Sequence, residues 1–522
     1  MRLPVTLSLL ILLLGGCAVS PAPIEVPEGA DASDEACVDL YQRMDAVVVE
    51  ARVRDGGGAP VPGYPWLRSS RFIQAIAADL EPADYLAALL EHDRRARWLE
   101  LSNLPGPVAD SLVKQLPEDD AGSAVVRCGE QLTARLLETD STLKTIRRAA
   151  VVPDEYVTWR RWAGVYPISR FFILGGVAIW QHGTRNEFVA RAPATPAGVR
   201  FEPAWEGVLV NRPELADLVR DAPRDSLGRL QLTDTERDML LAAHAPVIEL
   251  EKDAGHNRIG EALWQAPGLP NVNVARPLVY TAVTHTRFAG ETVAQLNYVF
   301  WFSSRPKSNV LDLLGGRLDG MHLRITLDNS GEPMLLESMH NCGCYHQYYP
   351  LSGLQARDSP GYAEPPLVLP SPGPLEADER LVVRMLDRSH YVRRVYRMPA
   401  VPGRGIRYVM TDYDELRSLP VGDGRRSLFD EDGLVTGSER DERMLFWVSG
   451  VPNSGAMRQM GRHVTAFVGR RHFDAPDLLD RVFRPVPEVM LLPEYPWEIM
   501  PYPWEWMPWS PPPWSSPDMN MR

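Results

Sequence analysis

The chain is short of several things. It has five cysteines in 522 residues, no excess of basic charge, and none of the short motifs that announce a reaction. So few cysteines exclude a disulfide-stapled mini-protein. Lys+Arg number 55 against 68 Asp+Glu, a net charge of −13. That excludes general nucleic-acid binding, because phosphates need a basic field to meet them. A phosphate-binding P-loop, Gly-x-Gly-x-x-Gly, His-Glu-x-x-His and a Gly-x-Ser-x-Gly elbow are all missing. No internal repeat at a fixed period is visible. A membrane-spanning helix needs about 20 apolar residues. The most apolar stretch beyond the N-terminus, YPISRFFILGGVAIW (166–180), has 15 residues and is interrupted by Arg170 and Gly175-Gly176. A buried helix or strand pair is expected there rather than a span. What remains is ordinary for globular protein: 45% hydrophobic and 24% charged residues. The length implies two to four domains.

The first 17 residues, MRLPVTLSLLILLLGGC, pair a basic start at Arg2 with a short apolar run from Leu7 to Leu14. This pattern predicts a secretory signal peptide over 1–16. Leu14-Gly15-Gly16-Cys17 also resembles the lipobox of bacterial lipoproteins. The resemblance covers these 17 residues only. It implies cleavage before Cys17, a diacylglycerol thioether on that thiol and an acylated amine. Several acyl chains at ~0.8 kcal/mol per buried methylene make a long-lived anchor. Ala18, where such families keep Asp for inner-membrane retention, implies an outer-membrane lipoprotein facing the periplasm. Loss of Arg2 would leave 54 basic against 68 acidic residues, a net charge of −14. Residues 17–35 are small, acidic and Pro-containing and predict a flexible lipidated tether.

Residues 36–150 carry apolar stripes at helical spacing (Cys37, Leu40, Tyr41, Met44, Val48; then Val125, Cys128, Leu132, Leu136) and predict a helical domain. Residues 151–245 are mixed α/β, with a capping box at Thr233 and Glu236 before a short helix. Residues 246–490 alternate β-branched and aromatic residues between turn signals and predict an antiparallel β-rich domain. Within it LVYTAVTHTRF/TVAQLNYVFWF and MHLRITL/PMLLESMH read as hairpins, and MLFWVSG as a strand. The fold class expected is α+β. Residues 491–522 form a Pro/Trp-rich tail.

An envelope location permits disulfides. Cys37 and Cys128 sit on apolar faces of the same helical domain, and a bridge between them would stabilise by ~2–4 kcal/mol. Cys342 and Cys344 lie in an unusual heptad, His340-Asn341-Cys342-Gly343-Cys344-Tyr345-His346. Thiolates and imidazoles suit zinc or copper. On a straight strand the two histidines would be about 20 Å apart. A single ion could be held only if Gly343 bends the chain into a curl. The alternatives are packed thiols or a strained disulfide, and a thiol–disulfide redox pair. His322 is expected beside this segment, opposite Glu337, if the turn sits at Asn329-Ser330.

A weaker constellation is His472 with Asp474 as a base and its orienting partner, and Ser454 as nucleophile. The neighbouring Arg458, Arg462, Arg470 and Arg471 suit an anion equally well. Asp430-Glu431-Asp432-Gly433 lacks the distal ligands of a calcium loop and is expected to be a solvated turn. In residues 493–514, eight Pro and five Trp in 22 positions favour an extended rod that meets a protein partner, a glycan, the chain's own sheet or a membrane surface. The function expected is binding. The chain would be a lipid-anchored envelope module for a polymer or protein partner, with a zinc- or copper-binding protein and a hydrolase as alternatives.

Overall fold

The computed structural model describes residues 23–486, apart from Glu28, 114–120, Thr139, 205–211, 266–267, Ser359 and Pro402. The expected signal peptide, the lipidated Cys17 and residues 493–514 of the tail lie outside these residues. The described residues up to Pro485 belong to one unit.

Helix α1 (Ala32–Ala51) begins where Asp31 accepts from the backbone of Ser33 and Asp34, and the Asp34 carboxylate accepts from Asp31 N–H. This capping box satisfies the donors that a helix start leaves orphaned. Residues 32–35, within the segment expected as a tether, already belong to α1. Glu25 N–H donates to the Gly63 carbonyl, and Pro27 is buried. A hairpin of β1 (Ala59–Val61) and β2 (Tyr64–Ser69) interrupts the helical region. It is followed by α2 (Arg71–Ile76), capped by Ser70, and α3 (Pro82–Ser102). Then come α4 (Gly106–Val113), α5 (Ala121–Leu136) and α6 (Asp140–Ala149). Cys37 on α1 and Cys128 on α5 are joined, with Cα atoms 5.1 Å apart. They share one apolar core with Tyr41, Trp66, Leu89 and Leu132.

Two helices follow, α7 (Thr158–Ala163) and α8 (Tyr166–Glu187). Helix α8 corrects an expectation. The 166–180 stretch is helical, but it is not buried, and Gln181 alone on α8 is fully enclosed. None of the described helices is long and apolar enough to cross a membrane.

A short strand, β3 (Val199–Pro203), precedes α9 (Arg212–Asp221) and α10 (Asp234–His244). Thr233 and Glu236 form the expected capping box on α10. The strands β4 (Val247–Leu250), β5 (Ile259–Gln265), β6 (Leu269–Asn273), β7 (Leu278–Phe288), β8 (Glu291–Arg305), β9 (Gly316–Leu327) and β10 (Pro333–His340) come next. After them are β11 (Gln347–Pro350), β12 (Leu354–Ala356), β13 (Leu367–Val368), β14 (Glu379–Met385), β15 (Val392–Pro399) and β16 (Ile406–Asp412). Together with β3, all but β12 make one sheet in the order β13-β11-β10-β9-β8-β7-β16-β3-β4-β14-β15, with β5 and β6 branching from β8. The fold is α+β, as the sequence predicts, but the sheet is mixed. Strand β16 runs parallel to both β3 and β7, and β14 runs parallel to β4. Chain-distant strands meet at these joins, where no hairpin signal exists to be read.

Both faces of the sheet are covered. Leu215, Val219, Leu240 and Leu241 from α9 and α10 pack on one face, against Tyr298, Phe300 and Leu323. C-terminal loops carrying Leu416, Phe429 and Met457 cover the other, against Tyr280 and Trp301. This is why β8 and β9 are almost wholly buried rather than alternating. Two further expectations change. MLFWVSG is not a strand but a short helix, α11 (Arg443–Phe446), followed by a 3-10 turn. His322 pairs with Met339, and Glu337 with Arg324, so the hairpin register is shifted by two residues. The turn runs through Asp328–Glu332, with Asp328 accepting from Ser330 and Glu332 N–H.

Candidate functional site

The HNCGCYH segment forms the turn between β10 and β11. The Gly343 N–H donates to the His340 carbonyl at 2.8 Å, and the His340 N–H donates to Cys344 at 3.1 Å. Gly343 has φ of 93°, and a Cβ there would strike the Val464 carbonyl. The curl that glycine permits is therefore present, and only glycine fits it. Next to it the Asn341 carbonyl accepts from Arg458 N–H and meets His463 Nε2 at 3.1 Å.

The curl does not gather the four expected metal ligands around one point. His340 faces Asp319, which also holds His390 Nδ1 at 2.7 Å. His346 Nε2 lies 3.0 Å from Glu337, a carboxylate already bridged by Arg324. Burial holds His340 below its ordinary value and His346 down to about 4. Cys342 and Cys344 are free thiols. The adjacent Cys342 sulfhydryl and burial keep the Cys344 thiol well above its ordinary value. A thiol so held is a poor nucleophile. Among the described residues no three His, Cys, Asp or Glu are grouped to hold a metal.

The hydrolase candidates are not joined either. Ser454 Oγ donates to the Val451 carbonyl, His472 faces Asp154, and Asp474 lies against Arg71. No hydrogen bond links Ser454 to His472 among the described residues. Asp430 accepts from the Asp432 and Leu434 backbones, as the expected turn.

What the curl does build is a wall. Cys342, Cys344 and Tyr345 line a cavity of about 520 Å³. Helix α8 forms the opposite side with Phe172, Ile173, Val177 and Trp180. Helix α11, through Phe446, and the loops after it, through Val451, Ser454 and Phe467, close it. Its surfaces are aromatic and aliphatic. Trp180 packs on Tyr345 at 5.2 Å, Tyr345 on Tyr391 at 4.5 Å, and Phe446 stacks on Phe467 at 4.3 Å. Helix α8 is held in place from both ends. Tyr166 OH accepts from Gly469 N–H, and Gln181 donates to the Pro365 carbonyl at 2.8 Å. Between these ties Gly175 and Gly176 leave open space, for a Cβ on either would meet nothing within 4 Å.

Two glutamates line this space: Glu364 accepts from the Phe467 and Val468 backbone N–H groups, and Glu442 is left without a partner. Glu442 is 6% exposed, and its side chain forms no hydrogen bond or ion pair among the described residues. Its backbone N–H is fixed to the Leu313 carbonyl, and its carboxyl sits beside Gly455, where a Cβ would collide with it. Burial pushes Glu442 up to about 7, against the pull of Arg305 and Arg440. The sequence does not single this residue out. In Arg440-Asp441-Glu442-Arg443 it reads as one member of a solvated charge run, and only the fold turns it inward.

A second cavity of about 280 Å³ lies where the helical region meets the sheet, and it has the opposite character. Arg71, His92, Arg324, Arg417 and Asp474 line it. Its carboxylates are paired: Asp414 with Arg95 and Arg417, and Asp474 with Arg71.

Comparison with family models, with curated proteins and with solved structures finds no match for this chain.

Proposed function

We propose that this is a binding module of the bacterial envelope, held there by lipid on Cys17, and that its ligand is a small amphiphile. The ligand's apolar body fills the cavity between α8 and the Cys-Gly-Cys turn. Its polar head is a hydrogen-bond donor, a hydroxyl or an ammonium, that meets Glu442. One observation carries this: an almost fully buried carboxyl with no protein partner faces an apolar cavity of about 520 Å³. Burying a polar group without a hydrogen bond is costly, and native proteins rarely tolerate it without a use. Apolar walls with very few polar groups are the usual composition of a small-molecule site. The size and shape favour a small ligand over an envelope polymer in this site. Contact with a polymer or protein partner would fall to residues 493–514.

The test is a binding titration with alkyl alcohols, amines and carboxylates of increasing length. Affinity should rise about fourfold per methylene until the cavity is full, from ~0.8 kcal/mol each. Amines should bind better above pH 7, where Glu442 is ionised, and alcohols should be less sensitive. Carboxylates should bind worst, since they meet a like charge. Equal binding of all three heads, or unchanged binding by Glu442→Gln, counts against the assignment.

A further inference from the structure

We propose that the outer face of α7 and α8 lies against an anionic lipid surface. The residues that carry it are separate from the cavity except for Phe172, which stands on the cavity rim and belongs to both. Trp162, Ile168, Phe171, Phe172 and Ile179 all point outward, Trp162 at 83% and Phe172 at 77% exposure. Next to them, the 3-10 turn that follows α11 packs on both helices and carries half-exposed Trp447. Single exposed apolar residues are ordinary, but a continuous row on two consecutive helices marks a contact surface.

Charge names the occupant. The whole chain is acidic, yet residues 156–186 hold Arg160, Arg161, Arg170 and Arg185 and not one Asp or Glu. Arg161 is spent inside the protein on the Ser449 and Gly469 carbonyls. Arg160 and Arg170 form no ion pair among the described residues; each lies over a neighbouring ring, Trp159 and Phe171. Of the acids that border the segment, Asp154 is occupied by Arg470, Glu155 by Arg462, and Asp441, beside α11, by Lys307, while Glu187 is exposed at the far end of α8, away from Trp162 and Ile168. Aromatic side chains with arginines among them, on a helix that lies flat rather than spans, are the chemistry of a membrane interface. Such a helix sinks its apolar face to the boundary of head groups and acyl chains, while guanidinium groups meet lipid phosphate. An acidic protein or a second copy of this chain would find the arginines but would leave a row of rings to be covered by something equally apolar. A lipid surface satisfies both.

The experiment uses the chain from Ala18 to Arg522, which keeps every described element and lacks the acylated cysteine. It is floated with vesicles of phosphatidylglycerol and phosphatidylethanolamine, and with phosphatidylcholine vesicles alone. The wild type should float with the anionic vesicles, and less so as salt rises. Ile168→Ser with Phe171→Ser should weaken this at least tenfold, with an unchanged melting temperature because both residues are exposed and neither lines the cavity. Arg160→Gln with Arg170→Gln should remove the preference for anionic lipid. Trp162→Ala provides a third variant should either pair disturb folding. Glu442→Gln should float as wild type does, so a failure of the cavity assignment and a failure of this one are told apart. The proposal is overturned if the wild type stays with the unbound protein at low salt, or if the serine variants float equally well. It is also overturned if the wild type is a dimer that the serine variants dissociate, or if floating requires removal of residues 487–522.

Discussion

Two regions of this molecule bury carboxylates, and they do it in opposite ways. In the helical region Arg68 reaches Asp93 at 2.9 Å and Glu100 at 2.8 Å, and Arg97 reaches the same two acids at 3.4 and 3.3 Å. Asp55, whose N–H donates to Glu100, is gripped by Arg417 from far along the chain. Despite burial, Arg417 holds Asp55 well below the usual carboxylate range. Every charge there has a partner. Glu442 is also buried, though less completely, but no partner is supplied, and the acid rises to about 7. A buried acid with its base fixes the fold. A buried acid without one is a place for something else to bind.

The largest effect should come from breaking the paired side. Glu100→Ala leaves Arg68 on Asp93 alone and Arg97 on Asp93 and Asp45, and should cost ~3–5 kcal/mol in chemical denaturation. Replacing Cys37 and Cys128 by serine should cost ~2–4 kcal/mol, because the open loop regains chain entropy when unfolded. A loss under about 1 kcal/mol from either change would mean that the helical region is not the rigid half.

The third prediction separates the two acids by sign. Asp55 is depressed from its ordinary 3.8, so its contribution is present above that pH and fades as pH falls below it. Glu442 is raised from 4.5 to about 7. Between these values the unfolded chain has lost the proton and the folded chain keeps it. Stability therefore falls as pH rises from 4.5 to 7, by about 3 kcal/mol in all, and stays reduced above. Glu442→Gln should flatten this part of the stability–pH curve and leave the acid limb in place. The smallest effect concerns the cavity wall. Gly176→Ala adds a methyl where nothing lies within 4 Å, in mid-helix, and should raise stability by ~0.5–1 kcal/mol.

Local physics made much of this legible in advance. The apolar stripes that put Cys37 and Cys128 on facing helices, the Thr233–Glu236 capping box and the turns after Phe288 and Leu327 are all written in a few neighbouring residues. So is the curl at Gly343. What was hidden depends on distant parts of the chain. The parallel joins of β16 bring together strands some 200 residues apart in sequence at β3 and some 130 apart at β7. The exposure of α8 was missed because apolar content predicts burial only on average, and Phe171 and Phe172 break the rule. Glu442 was missed because a charge between charges looks solvated. His340 and His346 looked like partners of the cysteines until the fold gave each a carboxylate of its own.

The most direct measurement is a carboxyl titration of Glu442 by 13C NMR, assigned by the resonance lost in Glu442→Gln. An unpaired acid in an apolar ligand site should titrate near pH 7 in the free protein, and its midpoint should fall when dodecylamine is added, because the ammonium favours the ionised carboxylate. A midpoint near 4.5 that dodecylamine leaves unmoved would contradict the account.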